Sequence, residues 1–405
     1  MKKLLVSAAL AALLAAPAMA QDKTVLEFWD NQQTESGLSD VQRAAVERFE
    51  AENPDISVNV TTIPYPEYQQ RLLTAVQGGN APDIATLDQI WVGAFAAAGA
   101  VEDLSEAAAA AGLTKDKFFP GAWDSATYEG GLYGIPFNVD VWQFNFYNGD
   151  LLKEAGVDPA SLTTWEGLKA AAEAITDRGA GRFGVGLFGH QGEDTVVVMN
   201  SFVFSNGGNV LADDGSCALD EPAAVEALTY LQSLVPYAPQ GILNASSGDM
   251  RQLFLNGSLG VEFWPALEQP TLQKSSIDWG FVNGTAPEGK TPVGTYGGWN
   301  LAIFSTSEHK DAAMRFAEFL TREDVNGDVV DLIPANTAAA ETFLKANREG
   351  PDEIMAHLEN ARPRPLSPRY LEMANIEIRL AQDVYSGEDV AAAAKRACEA
   401  IDALN

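Results

Sequence analysis

The sequence predicts an α/β protein of two lobes joined by several short chain crossings, with a cleft between them. Three observations carry that prediction. The 405 residues are too many for one small core, and at 46% hydrophobic and 9% aromatic they can fill real cores, which excludes intrinsic disorder. Apolar segments of strand and helix periodicity alternate, and they do so in two separate cycles. No repeat, long linker or low-complexity tract separates those cycles, so the joints between them must be short.

The order of elements justifies the first cycle. Val25-Leu26-Glu27-Phe28-Trp29 is a β-prone run that stops at Asp30-Asn31. Residues 39–52 carry Val41, Ala45 and Phe49 at helical spacing and end at Asn53-Pro54. Residues 56–63 alternate apolar and polar as a half-buried strand does. A helix over 68–76 closes at Gly78-Gly79-Asn80, and 82–88 is a third strand. This β-α-β-α-β order predicts a parallel sheet, whose ligands sit beyond the carboxyl ends of the strands. Trp29-Asp30-Asn31 and Asp88-Gln89 fall on that edge, although Asp and Asn are also ordinary turn and cap residues.

The second cycle follows Leu132-Tyr133-Gly134-Ile135-Pro136 and an aromatic-rich stretch from Val139 to Tyr147. Its elements are a helix over 165–175, a strand over 183–188, and helices over 222–234 and 250–256. Strands over 259–264 and 279–282, a loop over 294–298, and a strand over 301–304 come next. A helix over 310–320, the Pro-rich Arg362-Pro363-Arg364-Pro365, and helices over 371–385 and 390–404 complete the chain.

The first twenty residues read as an export leader. Lys2 and Lys3 precede an apolar stretch from Leu4 to Ala16, and Ala18-Met19-Ala20 has the small-x-small cleavage pattern. The stretch is too short and too Ala-rich for a membrane span, and no cysteine stands at the cleavage site to take a lipid. Cys217 and Cys398 either form one disulfide in an oxidising compartment or stand as two separate small buried residues.

Charge narrows the partners. Twenty-six Lys and Arg against 56 Asp and Glu give a net charge of −30, which argues against nucleic acid and anionic lipid. Neutral small molecules are the simplest ligands for such a chain. Evidence for catalysis or metal binding is missing: no P-loop, GxSxG or HExxH occurs, and His190, His309 and His357 are scattered. Gly184-Val185-Gly186-Leu187-Phe188-Gly189 spells a dinucleotide fingerprint but reads as a strand itself, preceded by a turn. Two cysteines cannot build a CxxC-type metal cluster.

Aromatic residues beside hydrogen-bonding groups are the positive signal. Of the eight tryptophans, Trp29, Trp91, Trp142, Trp264 and Trp299 fall at or just beyond strand ends. Flat rings cover the apolar face of a sugar, while carboxylates, amides and guanidinium groups bond its hydroxyls. The competing reading of each tryptophan is a lobe core. Gly297-Gly298 before Trp299 lets backbone approach a ligand closely.

Several segments together resemble the family 1 extracellular solute-binding proteins of ABC importers, the maltose/trehalose-binding members most of all. They are Gly78-Gly79-Asn80-Ala81-Pro82-Asp83-Ile84, Gly99-Ala100-Val101-Glu102-Asp103-Leu104, Gly131-Leu132-Tyr133-Gly134-Ile135-Pro136, Phe254-Leu255-Asn256-Gly257-Ser258 and Gly297-Gly298-Trp299. The resemblance implies the two-lobed periplasmic-binding-protein fold of type II, each lobe an α/β sandwich discontinuous in sequence. It implies a leader at 1–20, a first lobe at 21–135 plus 298–333, and a second at 136–297 plus 334–405. It further implies ligand contacts from Asp88, Asp140, Trp264, Gly298, Trp299, Arg364 and Tyr370, with Asp30 and Tyr65 as additional positions. Trp299 and Trp264 would meet the ligand from opposite lobes. The expected function is capture of a neutral carbohydrate, such as the α-glucosides trehalose or maltose, by a periplasmic monomer of a Gram-negative bacterium. It would hand the sugar to a membrane permease, without cofactor, metal or catalytic residues. A polyol, a glycerol phosphate derivative or an osmolyte is the alternative ligand, and a secreted carbohydrate-active enzyme the remaining one.

Overall fold

The computed structural model describes residues 23–31, 39–330 and 332–404. The leader proposed at 1–20 lies outside the described residues. Among the described residues twelve strands form three sheets. β1 (Thr24–Asp30), β2 (Ile56–Thr62) and β3 (Ile84–Asp88) come from the first cycle. β4 (Thr127–Tyr128) and β5 (Gly131–Leu132) pair as a small ribbon. β6 (Ile135–Val141), β7 (Phe144–Asn148), β8 (Phe183–Val185), β9 (Leu259–Trp264), β10 (Trp279–Val282), β11 (Tyr296–Ile303) and β12 (Ile333–Pro334) follow.

A six-stranded sheet of order β12-β6-β11-β3-β1-β2 organises the first lobe. β1 runs parallel to β2 and β3, while β11 lies antiparallel between β3 and β6. The sheet is covered on both faces, so β3 is buried at every residue. Its alternate side chains enter different clusters: Ile84 packs with Phe28, Phe49 and Phe316, whereas Ala85 and Leu87 pack with Tyr68, Leu72 and Phe304. Phe316 of helix Lys310–Leu320 meets Phe28 and Phe49 at ring-centre distances of 5.3 and 4.9 Å.

The second lobe is built on a four-stranded sheet of order β10-β7-β9-β8. Helices Trp165–Ile175, Glu193–Ser205, Pro222–Leu234, Tyr370–Ser386 and Val390–Asp402 surround it. Glu193–Ser205 has no counterpart in the sequence reading. It is buried all round from Thr195 to Ser205 and rich in Val and Phe, so it lacks the polar face from which helices are usually read. The Gly184–Gly189 segment does begin as strand, with β8 parallel to β9.

Three crossings connect the lobes and are stitched side by side. Trp142 N donates to Thr295 O at 3.1 Å, Tyr296 N to Arg362 O at 2.7 Å, and Arg362 N to Gly294 O at 3.0 Å. All of β6 pairs within the first sheet, and helices Thr337–Asn347 and Pro351–Asn360 pack on β12 and on β6. We therefore propose lobes of 24–141 with 296–360, and 142–295 with 361–404, in place of breaks at 135, 297 and 333. The difference at 135 and 297 comes from strands that cross between lobes and belong to the sheet they pair with, and the difference at 333 from the two helices packed on that sheet.

Cys217 and Cys398 are disulfide-bonded, with Cα atoms 5.1 Å apart and a sequence separation of 181. The bond fastens the short Leu211–Cys217 bridge to the last helix, where Cys217 N also donates to Asp402 at 2.8 Å. Reducing it, or replacing Cys217 with Ser, should lower unfolding free energy by about 2–4 kcal/mol. Urea unfolding with and without reductant measures this; coincident curves would mean the bond constrains nothing.

Candidate ligand-binding site

The register of the first sheet assembles one wall of the site. β11 pairs with β3 so that Trp299 lies directly across from Asp88, at the carboxyl end of β3. Gly298 makes this possible: its φ of 147° is open to glycine, and a Cβ there would come 2.3 Å from Asn138 O. A register shift follows between Trp299 and Asn300, so Gly297 to Trp299 stay half-buried while the rest of β11 is buried.

Asp88 ends β3 and starts the next turn by accepting from Ile90 N at 3.2 Å. Its other oxygen receives only a long contact from the Tyr65 hydroxyl, at 3.5 Å. Tyr65 stacks on Trp91 with rings 5.9 Å apart and 10° from parallel, and both present edges to Trp299 at 5.8 and 5.7 Å. Trp91 is buried, so it stiffens Trp299 and Tyr65.

The opposite wall comes from the second lobe. Trp142 leaves the first crossing half-buried, and the start of helix Glu193–Ser205 supplies Glu193 and Asp194. Acidic residues are favoured there by the helix dipole. His190 Nε2 is 2.5 Å from Asp194, whose other oxygen accepts from Ser247 N at 3.1 Å. Arg251 forks onto Glu268, with Nε to Oε2 at 2.8 Å. Arg364 and the Tyr370 hydroxyl both donate to Glu193 at 2.6 Å, with the Arg364 guanidinium 5.9 Å from the Tyr370 ring centre. A cleft of about 670 Å³ lies between the walls, lined by Asn31, Tyr65, Asp88 and Trp299 on one side and Trp142, His190, Glu193, Arg251 and Glu268 among those on the other. Its size suits a small organic ligand. Among the described residues no cluster has the make-up of a metal site.

The nine ligand positions expected from sequence divide into three groups. Tyr65, Asp88 and Trp299 line the cleft, with Gly298 setting the backbone under Trp299. Arg364 and Tyr370 lie behind it, buried, and hold Glu193. Asp30, Asp140 and Trp264 are placed elsewhere. Asp30 is buried against Gln42 and Thr86, while its neighbour Asn31 reaches the cleft. Asp140 is buried and accepts from Val141 N at 2.8 Å. Trp264 is wholly buried against Phe146 and Phe254, so its inward turn on β9 makes it lobe core. The second lobe's tryptophan on the cleft is Trp142. Glu193 and Asp194 open a helix whose apolar content has no period, and the Glu-Asp pair after Gly192 is the signal that marks its start; His190, one of the scattered histidines, lies just before it.

Burial shifts the interior carboxyls upward, against the weaker pull of nearby arginines. Desolvation pushes Asp88 up to about 6, Asp140 to about 7 and Glu377 to about 8, and holds Glu262 well above the usual range. The folded protein thus keeps protons that the unfolded chain has already lost between pH 6 and 8. Unfolding releases them, so stability falls as pH rises through that window. His357, lowered from 6.5 to about 4 by burial, opposes this trend between those two values and so only at the lower edge of the window. The unliganded protein should therefore melt higher at pH 6 than at pH 8, by on the order of 5 °C. A higher melting point at pH 8 in calorimetry would contradict the burial of these groups.

Comparison with known proteins agrees with this architecture. The family description "Bacterial extracellular solute-binding protein" matches residues 31–327. A binding protein of Brucella abortus is 27% identical over 353 residues, covering 84% of this chain and 83% of that one. A mannitol-binding protein of Pseudomonas aeruginosa is 26% identical over 319 residues, with 74% and 71% covered. The crystal structure of an ABC transporter solute-binding protein from Thermotoga lettingae, bound with α-D-tagatose, superposes with a TM-score of 0.76. It is 27% identical, over 94% of this chain and 100% of that one. With well over half of its length matched by the family description, the chain belongs to the bacterial extracellular solute-binding proteins.

Proposed function

We propose that the protein is the substrate-binding subunit of an ABC importer and captures a carbohydrate or polyol in the inter-lobe cleft. The observation that carries this reading is the pairing of Trp299 with Asp88: a held aromatic ring beside a carboxylate with acceptor capacity to spare. A ring of that kind covers the C–H face of a sugar, and the carboxylate accepts from its hydroxyls. Trp142, His190 and Glu193 supply matching groups from the other lobe. A ligand touching both walls favours the closed arrangement by its differential affinity for it, and the stitched crossings act as the hinge. The mannitol and tagatose ligands of the two similar proteins are of this chemical class.

Within that class an α-glucoside such as trehalose or maltose is the finer reading, drawn from the sequence resemblance. A phosphorylated ligand is disfavoured, because Arg251 and Arg364 are each already bonded to a carboxylate. The reading includes export by the leader at 1–20, a periplasmic location, and delivery to a membrane permease without chemistry on the ligand. No described helix is long and apolar enough to cross a membrane.

A thermal-shift screen against neutral mono- and disaccharides, polyols and glycerol phosphates tests the class. A ligand at a hundred times its dissociation constant adds about 2.7 kcal/mol, which raises the melting point visibly. A rise confined to phosphorylated compounds would overturn the proposal. For the best ligand, Trp299→Ala should weaken binding by about 2–3 kcal/mol while the variant still folds, as calorimetric titration would read. Unchanged affinity would remove Trp299 from the site.

A further inference from the structure

The charges that line the cleft do not balance. Among the described residues four carboxylates face it or stand at its edge: Asp88, Glu193, Asp194 and Glu268. Three have basic partners in direct contact: Glu193 with Arg364, Asp194 with His190, and Glu268 with Arg251. Among the described residues Asp88 has none, since its two contacts there are the neutral Ile90 N and Tyr65 hydroxyl. It is nevertheless 8% exposed, a carboxylate largely stripped of water. Arg364 is close enough to favour its charge, but that guanidinium is committed to Glu193, whose own charge acts against Asp88. No unpaired Lys or Arg lines the cleft among the described residues.

A dehydrated carboxylate with spare acceptor capacity, in a cleft whose cations are all spoken for, is complementary to a positive charge on the ligand. A neutral hydroxyl satisfies the hydrogen bond and leaves the charge unmatched; an ammonium group satisfies both. The protein's overall charge of −30 also draws cations toward it. We infer that the cleft prefers a hydroxylated ligand bearing a basic nitrogen, an amino sugar or amino polyol whose ammonium group sits at Asp88 beside Trp299. The inference rests on the carbohydrate-binding reading and names a narrower ligand class within it. The aromatic corner of Tyr65, Trp91 and Trp299 suits the same group, because ring faces attract ammonium ions as well as C–H surfaces.

The test is calorimetric titration with matched pairs that differ only by amine for hydroxyl. Suitable pairs are glucose and glucosamine, sorbitol and 1-amino-1-deoxysorbitol, and trehalose and 6-amino-6-deoxytrehalose. In at least one pair the amino member should bind about tenfold tighter or more, the gain expected when the donor to the carboxylate carries a charge of its own and the contact becomes an ion pair. Asp88→Asn keeps the shape and the cap on Ile90, and it should bring the ratio of the two affinities close to one. Neutral members binding as tightly as their amino partners would overturn this inference and leave the carbohydrate reading standing. An unchanged ratio in a folded Asp88→Asn protein would overturn the role of Asp88. No binding by any member of the pairs, amino or neutral, would overturn both readings together.

Discussion

One strand sets the site: β11, inserted antiparallel between β3 and β6 on its return from the second lobe. Its register decides that Trp299, rather than a neighbour, stands across from Asp88. A slip of one residue would turn Trp299 to the opposite face of the sheet and present Gly298 or Asn300 instead. The register is held from several directions. Leu301 and Ile303 are buried, Gln89 donates to the Tyr296 carbonyl, and Tyr296 N is bound to Arg362 of a second crossing. Because β11 begins where the lobes meet, the same hydrogen bonds that fix the aromatic wall also tie the crossings together. Cleft geometry and lobe geometry thus depend on one strand.

The second theme is electrostatic. The protein is strongly acidic, yet it buries Asp140, Glu262 and Glu377 without a direct cationic partner among the described residues, and it keeps Asp88 nearly dry. Such groups cost stability when ionised, and their raised proton affinity is how the fold limits that cost. The cations that do reach the cleft are fastened to carboxylates. Arg364 and Tyr370 converge on Glu193, which makes Glu193 a fixed acceptor surface instead of a mobile side chain. The walls are therefore stiff before a ligand arrives, and less ordering remains to be done on binding.

Much of this was legible in the residues themselves. The β-α-β-α-β opening, the edge position of Asp88, and the glycine pair before Trp299 follow from local periodicity and backbone freedom, which a linear sequence displays. Three things were not. Trp264 and Trp299 look alike in sequence, each at a strand end, and only sheet facing separates a core ring from a cleft ring. Helix Glu193–Ser205 is buried on every side, so its apolar content has no period, and the residues that start it were missed with it. Asp140 lies on a strand whose pairing partner is 157 residues away by register with Gly297, and nothing local reveals that its carboxyl turns inward. In each case the missing information is a long-range contact.

The claim that the cleft is the binding site is tested most directly by a crystal structure of the protein with the ligand that raises its melting point most. The account predicts a single ligand between the lobes, its ring against Trp299 and a donor group within hydrogen-bond distance of Asp88. Groups of the second lobe, Glu193 or Trp142 among them, should touch its other side. A ligand bound elsewhere on the surface, with the cleft holding only solvent, would contradict it.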